Sequence, residues 1–585
     1  MRQHHRVRTC LTLAALTVAI AACQRQDAPP AAPKAAATAA ADTFDASAGA
    51  DARRIEADVR FLADDLLEGR EAGTRGYDLA ARYVAERFRA IGLAPAGDDG
   101  GYLQRVPLLR AVRVADGARL AITRDGTTTE LRFKEQFLPS LNFNAASATV
   151  TAPAVFVGQG VHAPELKHDD FAGVDLRGKI AVLFGGAPER FDNDRRAFYS
   201  SGRQKMQALA ERGAIGVLYL GNPEDEKRSP WAQGAENWQR PGMRLRGDDG
   251  KGLDTWPQLQ VAASANADSV EAVLGGSGRT AAALFAALKS GTLQAFDLPG
   301  TLTLAATTRI ENAESHNVVA RLAGADDALG KEHIAYSAHL DHVGIGAPVD
   351  GDAIYNGALD NALGVAVMLE AAQQLARAES RPKRSLLFVA VTAEEKGLLG
   401  SDWFAQRPTV PRDSLVANVN LDMPVLLTPT TDVVPIGIEH STLQPLVAQA
   451  AKDIGVQLSP DPFPEEVVFV RSDQFSFIRA GIPAVYLDGG VVGTGSVDGK
   501  AAFEDFLRGH YHRPSDETSL PIQYADAARL ARLNARIGQL IADAKDRPAW
   551  NPGDFFGERY GRKPADAAPT PAVAPAGDAA AGAAR

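Results

Sequence analysis

The chain holds almost no cysteine. Cys10 and Cys23 are the only two in 585 residues, so neither a disulfide framework nor a cysteine-ligated metal site can organise the fold. Basic charge is in deficit: 62 Lys and Arg face 72 Asp and Glu, a formal net charge of −10 that argues against a nucleic-acid partner. The apolar run "LTLAALTVAIAA" (Leu11 to Ala22) falls short of the ~20 residues that a membrane span requires. What remains is the composition of a soluble globular protein, 45% hydrophobic and 23% charged, and too long for one ordinary domain.

The short apolar run still carries meaning. Arg2, Arg6 and Arg8 precede it, as in an export signal. It ends in "IAAC", which resembles the bacterial lipobox and makes Cys23 a lipidated residue that anchors the mature chain. Cys10 would leave with the signal. The expected location is therefore outside the cytoplasm, attached to a bacterial membrane in the periplasm or at the cell surface. Residues 23–50 are rich in Ala and Pro and read as a tether, and residues 548–585 read as a disordered tail.

Between these ends the texture changes twice. Residues 51–115 carry helical patterns, with Leu79, Tyr83, Val84, Phe88 and Ile91 on one face and Gly92 as a stop. Residues 116–306 break into short β-rich runs such as "GKIAVLFGG". Residues 307–547 alternate strand and helix. The fold class expected is α/β, a mixed twisted sheet with helices on both faces, interrupted by a β-rich insertion.

The apolar strand "SLLFVAV" ends in two adjacent glutamates, Glu394 and Glu395, whose charges repel unless a partner holds them. Similar polar groups stand at other element ends. "HIAYSAHLDHVG" ends a strand at His339 and Asp341, and residues two apart on a strand share a face, so Asp341 can accept the second ring N–H of His339. Asp360 and Asn361 open a helix, Asp422 ends the strand of "ANVNLDMP", and His510 and His512 lie in the loop "GHYHRPSDE". Singly, each has a bland reading: Asp360 a helix cap, Asp422 a turn residue, His339 a satisfied core histidine. Together, histidines and carboxylates at strand ends mark the edge where open α/β sheets bind ligands. Nitrogen and oxygen donors without sulfur suit zinc in a hydrolytic site.

The ordered set H-x-D, "GALDNALGVA", "AEEKGLLGS", "NLDM" and "YHRPSD" resembles the co-catalytic zinc aminopeptidases, family twenty-eight of the metallopeptidases in clan MH. "LEGREAGTRGYDLAARYVAERF" and "RSDQFSFIRAGIPAVYL" are similar to it as well, so the likeness spans most of 51–115 and 307–547. The resemblance implies two Zn2+ ions per chain, one held by His339 and Glu395, the other by Asp422 and His512, with Asp360 bridging. The sequence leaves open which carboxylate and histidine share an ion. It further implies Glu394 as general base, Asp341 as the residue that orients His339, a cis peptide after Asp360, and a peptide substrate. Where the family often has Ser-Asp-His, this chain has Ser472, Asp473 and Gln474. Phe469 stands nearest to a tyrosine that polarises the substrate in some members, and Arg471 could supply a positive group instead.

The insertion, with "HDDFAGVDLRGKIAVLFGG" and "KMQALAERGAIGVLYLG", is similar to a protease-associated domain. Its "GQGVHA" fits a dinucleotide-binding pattern, but no apolar helix follows, so that reading is rejected. The expected activity is that of an aminopeptidase. Its alternatives are a carboxypeptidase of the glutamate carboxypeptidase type, a glutaminyl cyclase-like acyltransferase with one zinc, and a non-catalytic binding protein. The sequence does not indicate the oligomeric state.

Overall fold

The computed structural model describes residues 49–495 and 498–562; the signal run, Cys23 and most of the tether lie outside them. The central strands form because their sequences are apolar on both faces, as strands covered by helices on both sides require. His333–His339, Ser385–Val391 and Leu415–Asn420 are buried at every residue. His333–His339 pairs in parallel with Ser385–Val391 on one side and with Leu415–Asn420 on the other. Ala484–Asp488 extends the parallel set, Asp432–Ile436 joins it antiparallel, and the short strand Gln457–Leu458 pairs outside that. The chain therefore leaves His333–His339 first toward one neighbour and later toward the other. The C-terminal end of that strand is the topological switch point, where such sheets place ligands.

Helices Ala50–Leu62, Arg75–Ile91, Gly364–Ala376 and Tyr524–Asp543 cover one face of this sheet. Arg75–Ile91 begins where the Thr74 hydroxyl accepts from the Tyr77 amide and ends at Gly92 in the left-handed conformation. Its Val84 and Phe88 are fully buried. Phe404 and Phe477 belong to the core on the opposite face.

Residues between the two helical regions build a second β-rich core around Val182, Leu218 and Val261. No sheet break separates it from the first. Leu103–Arg124 and Phe296–Leu322 pair antiparallel from Thr301↔Thr123 to Val318↔Leu103, crossing residues 116 and 306. A register shift between Ala305 and Thr307 is the one irregularity in that ladder.

Residues 548–562, expected to belong to the tail, are structured. Phe555–Tyr560 is helical, Phe556 is fully buried, and Trp550 packs with it against Phe469 and Phe475. Four aromatic side chains within residues 548–562 provide the apolar surface that composition-based reading of the Ala/Pro-rich end overlooked.

Candidate active site

Each site residue sits just past a parallel strand or in a turn that a buried group fixes. The His333–His339 strand ends at His339, and its Nε2 lies 2.9 Å from Asp422 Oδ1 and 3.2 Å from Asp360 Oδ1. His512 Nε2 lies 3.2 Å from the other Asp360 oxygen, Oδ2, and 3.1 Å from Glu395 Oε2. Asp360 thus faces two clusters, one oxygen to each. Two groups of side chains lie close enough to hold a cation: His339, Asp360 and Asp422 in one, and Asp360, Glu395 and His512, with His342 beside them, in the other.

This pairing corrects the one the family resemblance suggested. His339 meets Asp422, not Glu395, and His512 meets Glu395, not Asp422. The strands that lead to Glu395 and to Asp422 flank the His339 strand on opposite sides, so the pairing is decided by the turns beyond the strand ends and not by strand order. His510 stays outside the site, where it bonds the Ser515 hydroxyl at 2.9 Å.

Asp341 also works differently from the strand-face expectation. The strand ends at His339, so the alternation of faces does not extend to residue 341. His339 Nδ1 contacts the backbone carbonyl of Asp341 at 3.0 Å. A carbonyl only accepts, so Nδ1 carries a hydrogen, and Nε2, which faces accepting carboxylates, is protonated as well without a metal and is the nitrogen left to bind one. The Asp341 carboxylate instead accepts from the backbone N–H groups of Glu394 (3.0 Å) and Glu395 (3.3 Å). It holds the turn that separates the two glutamates.

Asp360 does not cap a helix. It lies in an irregular turn ahead of Gly364–Ala376, with a cis peptide to Asn361. Asp516 fixes that turn by accepting from the amides of Leu359 (2.9 Å) and Asp360 (3.0 Å). Gly357, at φ 63°, leads into it; a Cβ there would lie 2.1 Å from the Asp360 carbonyl and 2.6 Å from the His342 ring. Arg70 is fully buried and donates to the carbonyls of Leu340 (2.9 Å), Asn356 (2.6 Å), Gly357 (3.1 Å) and Leu62. It therefore clamps both the His339 turn and the Asp360 turn. Non-glycine residues with positive φ recur at the site: Ala393 (54°) before the glutamates, Met423 (38°) after Asp422, and His512 itself (54°).

The electrostatics call for a cation. Burial, with Glu395, Asp422 and Asp473 nearby, pushes the Glu394 carboxyl well above its ordinary range. Burial and Glu395 raise Asp341 to about 7, and burial and Asp422 raise Asp473 to about 7. Burial alone would lower His512, but Glu395 and Asp360 carry it up to about 10. Protons on histidines thus balance the acidic cluster where a cation would otherwise do so. Glu395 Oε1 and both ring nitrogens of His342 are buried without a hydrogen-bond partner. Such orphaned lone pairs in an oxygen and nitrogen donor set fit zinc.

Glu394 and Glu395 line a cleft of about 650 Å³ together with Phe198, Arg203, Trp256 and Arg471. Phe469 turns away from this cleft and stacks on His440 at 4.4 Å. Gln474, in place of the family's histidine, accepts from Asn420 and donates to the carbonyls of Val468 and Phe469, so it secures the loop that carries Arg471.

Residues missed in the sequence are Arg70, His342 and Asp516. All three stood inside the recognised motifs "LEGREAG", "HLDHVG" and "RPSDE", and the available signal was a charged or ligating side chain in a segment otherwise destined for burial.

Comparison with known proteins agrees with this geometry. Residues 317–537 match the model of peptidase family M28. A probable zinc metalloprotease of Pyrenophora teres f. teres is 38% identical over 106 residues, 18% of this chain and 22% of that protein. Its counterpart in Pyrenophora tritici-repentis is 37% identical over 106 residues, 18% of this chain and 23% of that one. The matched segment thus spans less than a quarter of these curated relatives. Among solved structures, the aminopeptidase from Aneurinibacillus sp. strain AM-1 aligns at 22% identity and a TM-score of 0.49, over 85% of this chain and 97% of its own. A peptidase M28 precursor from Shewanella amazonensis SB2B aligns at 18% identity and a TM-score of 0.42, over 85% and 97%. Residues 317–537, the segment that matches the model of peptidase family M28, contain every member of the two carboxylate–histidine clusters.

Proposed function

We propose that the chain is a two-zinc exopeptidase that acts as an aminopeptidase, removing single residues from the N-termini of peptides. The observation that carries this reading is Asp360, whose two oxygens face two separate histidine–carboxylate clusters beside a cleft lined by Glu394. One cluster would hold a zinc through His339, Asp360 and Asp422, the other through Asp360, Glu395 and His512. When bound, the ions supply a water acidic enough to act near neutral pH and an electrophilic hold on the scissile carbonyl.

The chain's own residues do the rest. Glu394, whose carboxyl is held high by burial and by its acidic neighbours Glu395 and Asp422 while no cation is bound, would take the water's proton on its carboxylate and deliver it to the leaving amine. Its neighbour Glu395 lies against His342 and His512, so one glutamate can ligate while the other is left for proton transfer. Asp341 keeps the two apart by holding both amides.

The test is a peptide pool in which each sequence has a free and an acetylated N-terminus, incubated with zinc-loaded protein and followed by mass spectrometry. Loss of single residues from free ends alone supports the reading. Trimming at the C-terminus would move the assignment to a carboxypeptidase, and N-terminal glutamine cyclisation to an acyltransferase. We also propose export and lipid attachment at Cys23, from the "IAAC" sequence. Cys23→Ser should shift the protein from the membrane to the soluble fraction, and retention on membranes would refute the lipid anchor.

A further inference from the structure

Beside the five ligands that the family resemblance supplies stands a sixth group with no assigned role. His342 follows Asp341 in the same turn and is fully buried. Its backbone N–H donates to the Arg70 carbonyl at 3.2 Å, which fixes the turn, and Gly357 packs against its ring. Neither ring nitrogen has a hydrogen-bond partner. A buried imidazole left without partners costs the desolvation of two polar atoms, which calls for an occupant.

The surroundings indicate what that occupant is. His342 Nδ1 lies 2.9 Å from Glu395 Oε1, yet the two make no hydrogen bond, and Oε1 is likewise unpartnered. Nδ1 also lies 3.7 Å from Asp360 Oδ2. His512 Nε2 is 3.2 Å from that same oxygen and 3.1 Å from Glu395 Oε2. A tetrahedral zinc with bonds of about 2.0–2.1 Å separates its ligand atoms by roughly 3.3 Å. The distances around this cluster scatter about that value.

We infer that His342 is a fourth protein ligand of the zinc held by Asp360, Glu395 and His512. The inference rests on the two-zinc reading above and makes the two positions unequal. The His342 position has four protein ligands, the arrangement of a closed site. The position of His339, Asp360 and Asp422 has three, which leaves a vacancy for substrate or water. The first zinc to bind would occupy the closed position.

The experiment is zinc X-ray absorption on the full chain, stripped with a chelator and reloaded with one equivalent of zinc, together with a competition titration against a chromophoric chelator. Wild-type protein should show two imidazoles on its first zinc. His342→Ala should show one and bind that first equivalent at least tenfold more weakly. A single imidazole in the wild type, or an unchanged first affinity in His342→Ala, would overturn the inference. If the variant fails to fold by circular dichroism, the wild-type imidazole count alone decides. Two zincs with one imidazole each would remove only His342 from the site, whereas no bound zinc would overturn the two-zinc reading itself.

Discussion

The carboxylate of Asp341 receives the backbone amide of Glu394 at 3.0 Å, while its own carbonyl lies 3.0 Å from His339 Nδ1. One residue therefore sets both the tautomer of a ligand and the position of the proposed base. Asp341→Asn keeps the carbonyl but replaces one accepting oxygen with an NH2 group that faces the Glu395 amide. We expect kcat to fall about 10–100-fold, in the range typical of lost outer-sphere support, with metal content largely kept. Steady-state kinetics and metal analysis on the same sample check this; loss of both zincs would show that Asp341 acts on the ligands themselves.

Glu394→Gln removes the proton acceptor and leaves the shape of the cleft. A general base contributes roughly 10²–10⁴-fold, so kcat should drop by that factor while zinc content and KM stay near wild type. Activity equal to wild type would exclude Glu394 as the base.

Arg70 supports the site from beneath. Its guanidinium satisfies carbonyls of Leu340, Asn356 and Gly357, which no other side chain reaches in the hydrogen bonds of the described residues. Although burial lowers its pKa to about 10, it remains charged at neutral pH. Arg70→Leu would leave several buried acceptors without donors, each worth about 1–3 kcal/mol. We expect destabilisation of at least about 3 kcal/mol, read as a lowered urea midpoint, and weaker zinc binding, because the Asp360 turn loses its clamp. A wild-type midpoint would refute the clamp.

Much of this site was legible because its chemistry is concentrated in short ordered motifs. The positions of His339 at a strand end and of Glu394 and Asp422 just beyond theirs follow from apolar runs that give way to polar residues, and the sheet brings those ends together. The pairing of the side chains was not legible, since the strands leading to Glu395 and Asp422 both flank the His339 strand and the irregular turns beyond them decide which carboxylate meets which ring. Asp341 illustrates a subtler limit. The two-residue alternation that predicts shared faces holds only while the strand continues, and here it ends at His339. Arg70 was hidden for another reason. Its four partners are backbone carbonyls, which leave no pattern in the side-chain sequence. The final helix, Phe555–Tyr560, was masked by averaging its aromatics with the Ala/Pro-rich residues that follow.

His333 gives a pH dependence that is independent of metal. It starts the strand that ends at His339, its Nδ1 contacts the Ser414 hydroxyl at 2.9 Å, and its Nε2 is buried without a partner. Burial, helped by Arg321, lowers its pKa to about 4. The unfolded chain takes up this proton at its ordinary value of about 6.5. Between these values the unfolded state binds more protons than the folded one, so folding stability rises with pH and falls as pH drops from about 6.5 toward 4. Wild-type protein should therefore lose stability on acidification from pH 7 to pH 5, and His333→Gln, which cannot be protonated, should lose less. Urea unfolding of metal-free protein at both pH values measures the difference. If the variant lost as much as the wild type, the acid sensitivity would have to come from groups other than His333.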